Sequence, residues 1–205
     1  MAQELRSEFS SICRKVGGTP EFEEYRDWTS HYSIHFNCSS AERFPSPKKF
    51  IELMKKASDL SEKIPEGSDI KFFFSVGKDI FKTYITGRVE YDPEVRGKFG
   101  YIPEERRYSI WFGETAPYGY RERMIELKKE LNALLRGERG WDYICRVDTD
   151  PPYTVSLECK MIYSTHRGQE KPDFDKIYAV VRRLRDISER EFKPIKVGGR
   201  TVLIE

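Results

Sequence analysis

The chain has 205 residues, enough to bury a substantial core, and sets 36 Lys and Arg against 34 Asp and Glu, for a net charge of +2. That balance excludes a general electrostatic pull toward polyanions, so any basic surface must be local. Neither a C-x-x-C pair nor an apolar run approaching 18 residues occurs, which leaves no metal-binding cysteine pattern and no predicted membrane helix.

Leu5, Phe9, Ile12, Cys13 and Val16 recur at helical spacing, and Gly17-Gly18 close the pattern, so residues 1–28 are read as an N-terminal helix and lead-in. Tyr32-Ser33-Ile34-His35-Phe36 alternates as a half-buried strand should. Ser46-Pro47 then predicts the start of a helix with Phe50, Leu53, Met54, Ala57, Leu60 and Ile64 on one stripe. Ile70 to Val76 and Ile80 to Val89, parted by Gly77-Lys78-Asp79, read as a hairpin that ends a first module over 29–90.

Residues 91–106 form a connecting loop with room for a short strand. Tyr108-Ser109-Ile110-Trp111-Phe112 then repeats the earlier pentad at an offset of 76 residues. A helix from about Tyr120 to Leu135 carries Met124, Leu127, Leu131 and Leu134, followed by β-like runs at Tyr143 to Asp148 and Tyr153 to Tyr163. Strand, helix, strand, strand thus recurs over 107–164. Such spacing calls for two like modules packed together. Residues 165–205 add a helix opened by Pro172, with Phe174, Ile177, Val181 and Leu184 inward, and a tail hairpin about Gly198-Gly199. The expected fold is α+β: two pseudo-symmetric strand-helix-strand-strand modules, an antiparallel sheet with helices on one face, plus the N-terminal helix and the C-terminal helix and hairpin.

Of the four cysteines, Cys145 and Cys159 fall at apolar positions of neighbouring β runs and read as buried, inert thiols, and a soluble cytoplasmic protein is expected. Few Asn and Gln amid abundant Glu, Lys and Arg suggest a thermophilic source.

From Lys160 to Arg200, eleven Lys and Arg face six Asp and Glu, a local charge of +5. Arg182, Arg183 and Arg185 project outward from the helix there. On the sheet, His35 and Trp111 hold matching positions flanked by Ser33 and Ser109, on the strand faces turned away from the helices. These features predict a binding protein for an anionic ligand, DNA or RNA ahead of a small metabolite, using the open sheet face and the basic helix. An alternative is a small-molecule pocket around His35 and Trp111.

A catalytic alternative comes from Asp148-Thr149-Asp150-Pro151-Pro152 followed by Leu157-Glu158-Cys159-Lys160. Glu158 and Lys160 share one polar strand face, and hard carboxylate oxygens suit Mg²⁺. The segment resembles the acid and E-x-K signature of the PD-(D/E)XK nucleases. That resemblance implies a Mg²⁺-dependent nuclease with Asp148 or Asp150 and Glu158 as metal ligands and Lys160 activating the water. In the first module, Thr86-Gly87-Arg88 stands where Glu158-Cys159-Lys160 stands in the second.

Overall fold

The computed structural model describes residues 1–205 apart from 29, 41–45, 81–82, 94, 98–99, 137–139, 167–168, 192–194, 198–199 and 203–205. In chain order, α1 (Ala2–Lys15) leads to β1 (Gly18–Arg26) and β2 (Tyr32–Ser40), then α2 (Pro47–Glu62), β3 (Ile70–Ile80) and β4 (Thr83–Asp92). A small hairpin of β5 (Val95–Gly97) and β6 (Gly100–Ile102) precedes β7 (Glu105–Pro117), α3 (Arg121–Leu135), β8 (Asp142–Asp150) and β9 (Thr154–Thr165). The chain ends with α4 (Tyr178–Asp186), a five-residue π-helical turn and a hairpin of β10 (Ile195–Val197) and β11 (Arg200–Val202). The α+β class holds, and the tail strands pair as expected; the Gly198-Gly199 turn lies outside the described residues.

Seven strands make one sheet in the order β1-β2-β3-β4-β7-β9-β8. It is mixed and not purely antiparallel, because α2 returns the chain to run β3 parallel to β2, with His35 opposite Phe73. The two segments share element order but not pairing. The first lies as β2-β3-β4, whereas in the second β9 inserts between β7 and β8. The expected pseudo-symmetry therefore does not extend to strand order.

Alternation places one side of the seven-stranded sheet against the helices. Phe9 of α1 stacks on Phe36 and Phe74 at 4.7 and 5.3 Å. α2 lies over Gly87, where a Cβ would come within 2.7 Å of Phe50 and Met54. Leu131 and Leu135 of α3 and Val180 and Leu184 of α4 meet Ile110, Cys159 and Met161. Ile34, Phe36, Phe72, Phe74, Ile110, Phe112 and Leu157 are fully buried between these layers. At the end of α3 the inward residue is Leu135, 2% exposed, while Leu134 is 37% exposed, one position off the expected stripe.

Three further expectations are corrected. The lead-in after the first helix contains a nine-residue edge strand, β1, paired to β2 from Gly18 to Arg26. Gly77 is no turn residue, since β3 runs on to Ile80; with φ +148 and an imaginary Cβ 2.0 Å from the Ile85 carbonyl oxygen, Gly77 lets two backbones approach. The cysteines are not free thiols. Cys13–Cys38 ties α1 to β2, and Cys145–Cys159 joins directly opposite positions of β8 and β9.

Candidate functional site: the open face of the sheet

With the helices on one side, the other side of the sheet carries the alternate residues of seven strands, and strand register fixes their neighbours. One row runs Glu23, His35, Phe73, Glu90, Arg107 and Ser164 from β1 across to β9. A second row runs Glu21, Asn37, Ser75, Arg88, Ser109, Ile162 and Asp142, and a third contains Thr86, Trp111, Lys160 and Ile144.

His35 and Trp111 do share this face, as expected, but β3 and β4 intervene. Three strand spacings across the sheet and four residues along it put them roughly 20 Å apart. Each has its own surroundings. The His35 ring packs on Phe73 at 4.4 Å and on Tyr25 at 5.0 Å, and Tyr25 Oη lies 3.0 Å from His35 Nε2. Burial in this stack holds the imidazole below its usual 6.5, with the Glu23 carboxylate working in the opposite direction, so the ring is neutral at pH 7. Beside it a cavity of about 450 Å³ is lined by Glu21, Glu23, His35, Phe73, Arg88 and Glu90, among others. Asn37 and Ser75 at its base are tied together, the Ser75 hydroxyl donating to Asn37 Oδ1 at 2.7 Å and Asn37 Nδ2 donating to Glu21 at 3.1 Å.

Trp111 stands at the centre between two cations. The Arg88 guanidinium carbon lies 5.0 Å and Lys160 Nζ 4.2 Å from its ring centroid, one cation coming from each flanking strand. Among the described residues neither Arg88 nor Lys160 has a carboxylate partner. Arg88 also lines the His35 cavity, and so bridges the two halves of the face. Ser33 and Ser109, expected beside the ligand, are buried at 1% and 3% exposure.

Of the proposed nuclease residues on this face, Asp150 stands apart from Glu158, whereas Asp148 and Glu158 meet on one guanidinium. The hairpin sets Asp150 opposite Thr154 and Arg146 opposite Glu158, leaving Asp150 four residues, about 14 Å, along the strand from Glu158. Arg146 donates to Glu158 Oε2 from Nε and Nη2 at 3.0 and 2.7 Å and pairs with Asp148 at 3.2 Å. A guanidinium thus sits where a cation held by Asp148 and Glu158 would go. Among the described residues no group of three His, Cys, Asp or Glu is arranged to hold a metal ion. Arg146 thus engages both Asp148 and Glu158, and Asp150 lies apart from them.

The basic helix lies on the other side of the sheet. Arg183 is paired to Glu130 at 2.5 and 3.0 Å and to Glu191 at 3.1 Å, and Arg185 to Glu189 at 3.1 Å; Arg182 alone of the three projects unpaired among the described residues. Arg123, with Arg183, holds the Glu191 carboxyl below the ordinary carboxylate range. The +5 count over 160–200 did not include Glu130, which α3 brings in from outside that segment.

Sequence reasoning missed Arg88, Phe73 and Trp28. The strand alternation that placed Trp111 would have placed the first two once their partner strands were known, whereas Trp28, 95% exposed at the β1–β2 end, carries no periodic signal. Among the described residues no helix is long and apolar enough to cross a membrane. In comparison with known proteins, the chain matches no family model, no curated protein and no solved structure.

Proposed function

We propose that this protein binds single-stranded nucleic acid on the open face of its sheet. The observation that carries the reading is the pair of cations, Arg88 and Lys160, without a carboxylate partner among the described residues and packed on Trp111 beside a cavity with an aromatic floor. Cations from both flanking strands pack on the indole, so Trp111 acts as their support, and the two side chains are pre-organised for a phosphate. The adjacent cavity has the size for one unstacked base, with Phe73 and His35 as the stacking surface and Glu21, Glu23 and Glu90 as acceptors for exocyclic amino groups. Carboxylates on both flanks confine phosphate to the centre of the face.

Arg88 and Lys160 occupy corresponding positions of the two sequence repeats, which supports descent of both segments from one unit whose second copy changed its strand order. Two disulfides accord either with the cytoplasm of a hyperthermophile or with an oxidising compartment.

The test is fluorescence anisotropy of labelled single-stranded DNA and RNA over a salt series. Each single-strand phosphate contact contributes about −0.7 to the slope of log K against log salt. Arg88→Ala with Lys160→Ala should reduce the slope by about 1.4, and Phe73→Ala should cost about 1–3 kcal/mol without changing it. Salt-independent binding, or wild-type behaviour of the double variant, would reject the site.

A further inference from the structure

On the opposite side of β1 from the open face, a groove of about 730 Å³ runs between β1 and the outer surface of α1. Arg6, Ser10 and Arg14 line it at successive turns, and Ser7, Ser11 and Lys15 form a second row one residue on. At 1.5 Å per residue, Arg6 and Arg14 are about 12 Å apart along the helix. The groove contains no Asp or Glu among its lining residues. Among the described residues none of its three cations has an ion-pair partner and none of its three hydroxyls a side-chain hydrogen bond. Elsewhere on the helical layer Lys55, Lys63, Lys171, Arg123 and Arg183 pair with carboxylates, while Lys48, Lys56, Lys129 and Arg182 stand singly without an ion-pair partner among the described residues; the groove differs in gathering three such cations in one place. Arg14 and Lys15 have a structural role at the C-terminal end of α1, where the helix dipole favours positive charge. That does not account for Arg6 in the second turn. Its guanidinium lies 4.7 Å over the Phe22 ring of β1, a stacked position that leaves its N–H edge for bidentate contact with an anion.

We infer that this groove is a second phosphate-binding surface, which takes the sugar-phosphate backbone of the nucleic acid strand as it passes around the edge of β1 from the open face. The inference rests on the reading of the open face for the identity of the ligand, but its residues are separate. Three cations and three free hydroxyls in one acid-free strip match a run of phosphodiesters, which offers only acceptors at regular spacing.

The experiment compares four proteins on one labelled single-stranded 30-mer over a salt series: wild type, R6A/R14A/K15A, R88A/K160A, and the control K48A/K56A/K129A. The control removes the same charge from exposed lysines outside the groove. Expected for the groove variant is at least tenfold weaker binding near 0.1 M salt and a slope reduced by about 2, with the control unchanged and the charge-preserving R6K/R14K/K15R retaining the slope. Equal losses in the control and the groove variant, or wild-type binding by the groove variant, overturn the groove. Wild-type binding by R88A/K160A alongside loss in the groove variant overturns the open-face reading and leaves the groove standing. No binding by the wild type overturns both.

Discussion

Trp111 shows how far single residues were legible. Alternation in Tyr108–Phe112 put the indole on the polar face, and that is where it lies, but its neighbours depend on strands 20 and 50 residues away in sequence. Lys160, singled out as a water activator, instead stacks on that indole. Arg146 was overlooked because its relation to Glu158 depends on the hairpin register and not on sequence spacing. His35 carries a prediction at this scale. Burial lowers its proton affinity in the folded chain below the unfolded value of 6.5, so unfolding takes up a proton when the pH lies between the two. The stability it contributes is complete above 6.5 and is lost as pH falls through the folded value. In thermal unfolding between about pH 7 and pH 5, wild type should therefore lose more Tm than His35→Gln. Parallel pH profiles for the two proteins would contradict this.

Among elements, helices were the most legible, because a buried stripe every third or fourth residue needs no knowledge of partners. α2 has its Ser46-Pro47 start and its buried Phe50, Leu53, Met54, Ala57 and Leu60 as expected. Edge strands were the least legible. β1 is exposed over most of its length, with Glu21, Glu23 and Glu24 in its middle, so it lacks the apolar alternation that marks a half-buried strand. Those charges, and the Pro20 that cannot donate from an edge, also oppose pairing with another chain. Missing β1 meant missing the disulfide, since Cys13 meets Cys38 only because α1 packs beside β1 and β2. Cross-links at sequence separations of 25 and 14 each remove loop entropy from the unfolded chain, about 3 kcal/mol apiece in the chain-entropy view. Non-reducing peptide mapping should recover the 13–38 and 145–159 pairs. Cys13→Ser with Cys38→Ser should lower unfolding free energy by roughly that amount. Four free thiols in the native protein would refute the pairing.

The whole molecule separates its charges by layer, and a sum over sequence cannot show this. The segment 160–200 is basic, yet α4 folds onto the helical side, where Glu130, Glu189 and Glu191 neutralise two of its three arginines. The open face is no more basic in total, but its central cations are unopposed, because the register that sets Arg88 and Lys160 on Trp111 also gives Glu158 to Arg146. Ligand attraction should follow local pairing, with segment charge irrelevant. This distinguishes the two surfaces that the sequence had joined into one. Substituting Arg182, Arg183 and Arg185 together by alanine removes three charges from the chain, one more than substituting Arg88 and Lys160. If net charge governed binding, the helix variant would be the weaker binder. If the face governs, it should bind single-stranded nucleic acid within about twofold of wild type at an unchanged salt slope. Its cost should appear in stability instead: freeing Glu130 and Glu191 from Arg183 should destabilise by about 1–2 kcal/mol, or a Tm lower by about 2–8 °C for a chain of this size. Anisotropy and thermal unfolding on the same preparation separate these outcomes, and a helix variant that loses affinity while keeping its Tm would return the nucleic acid to α4.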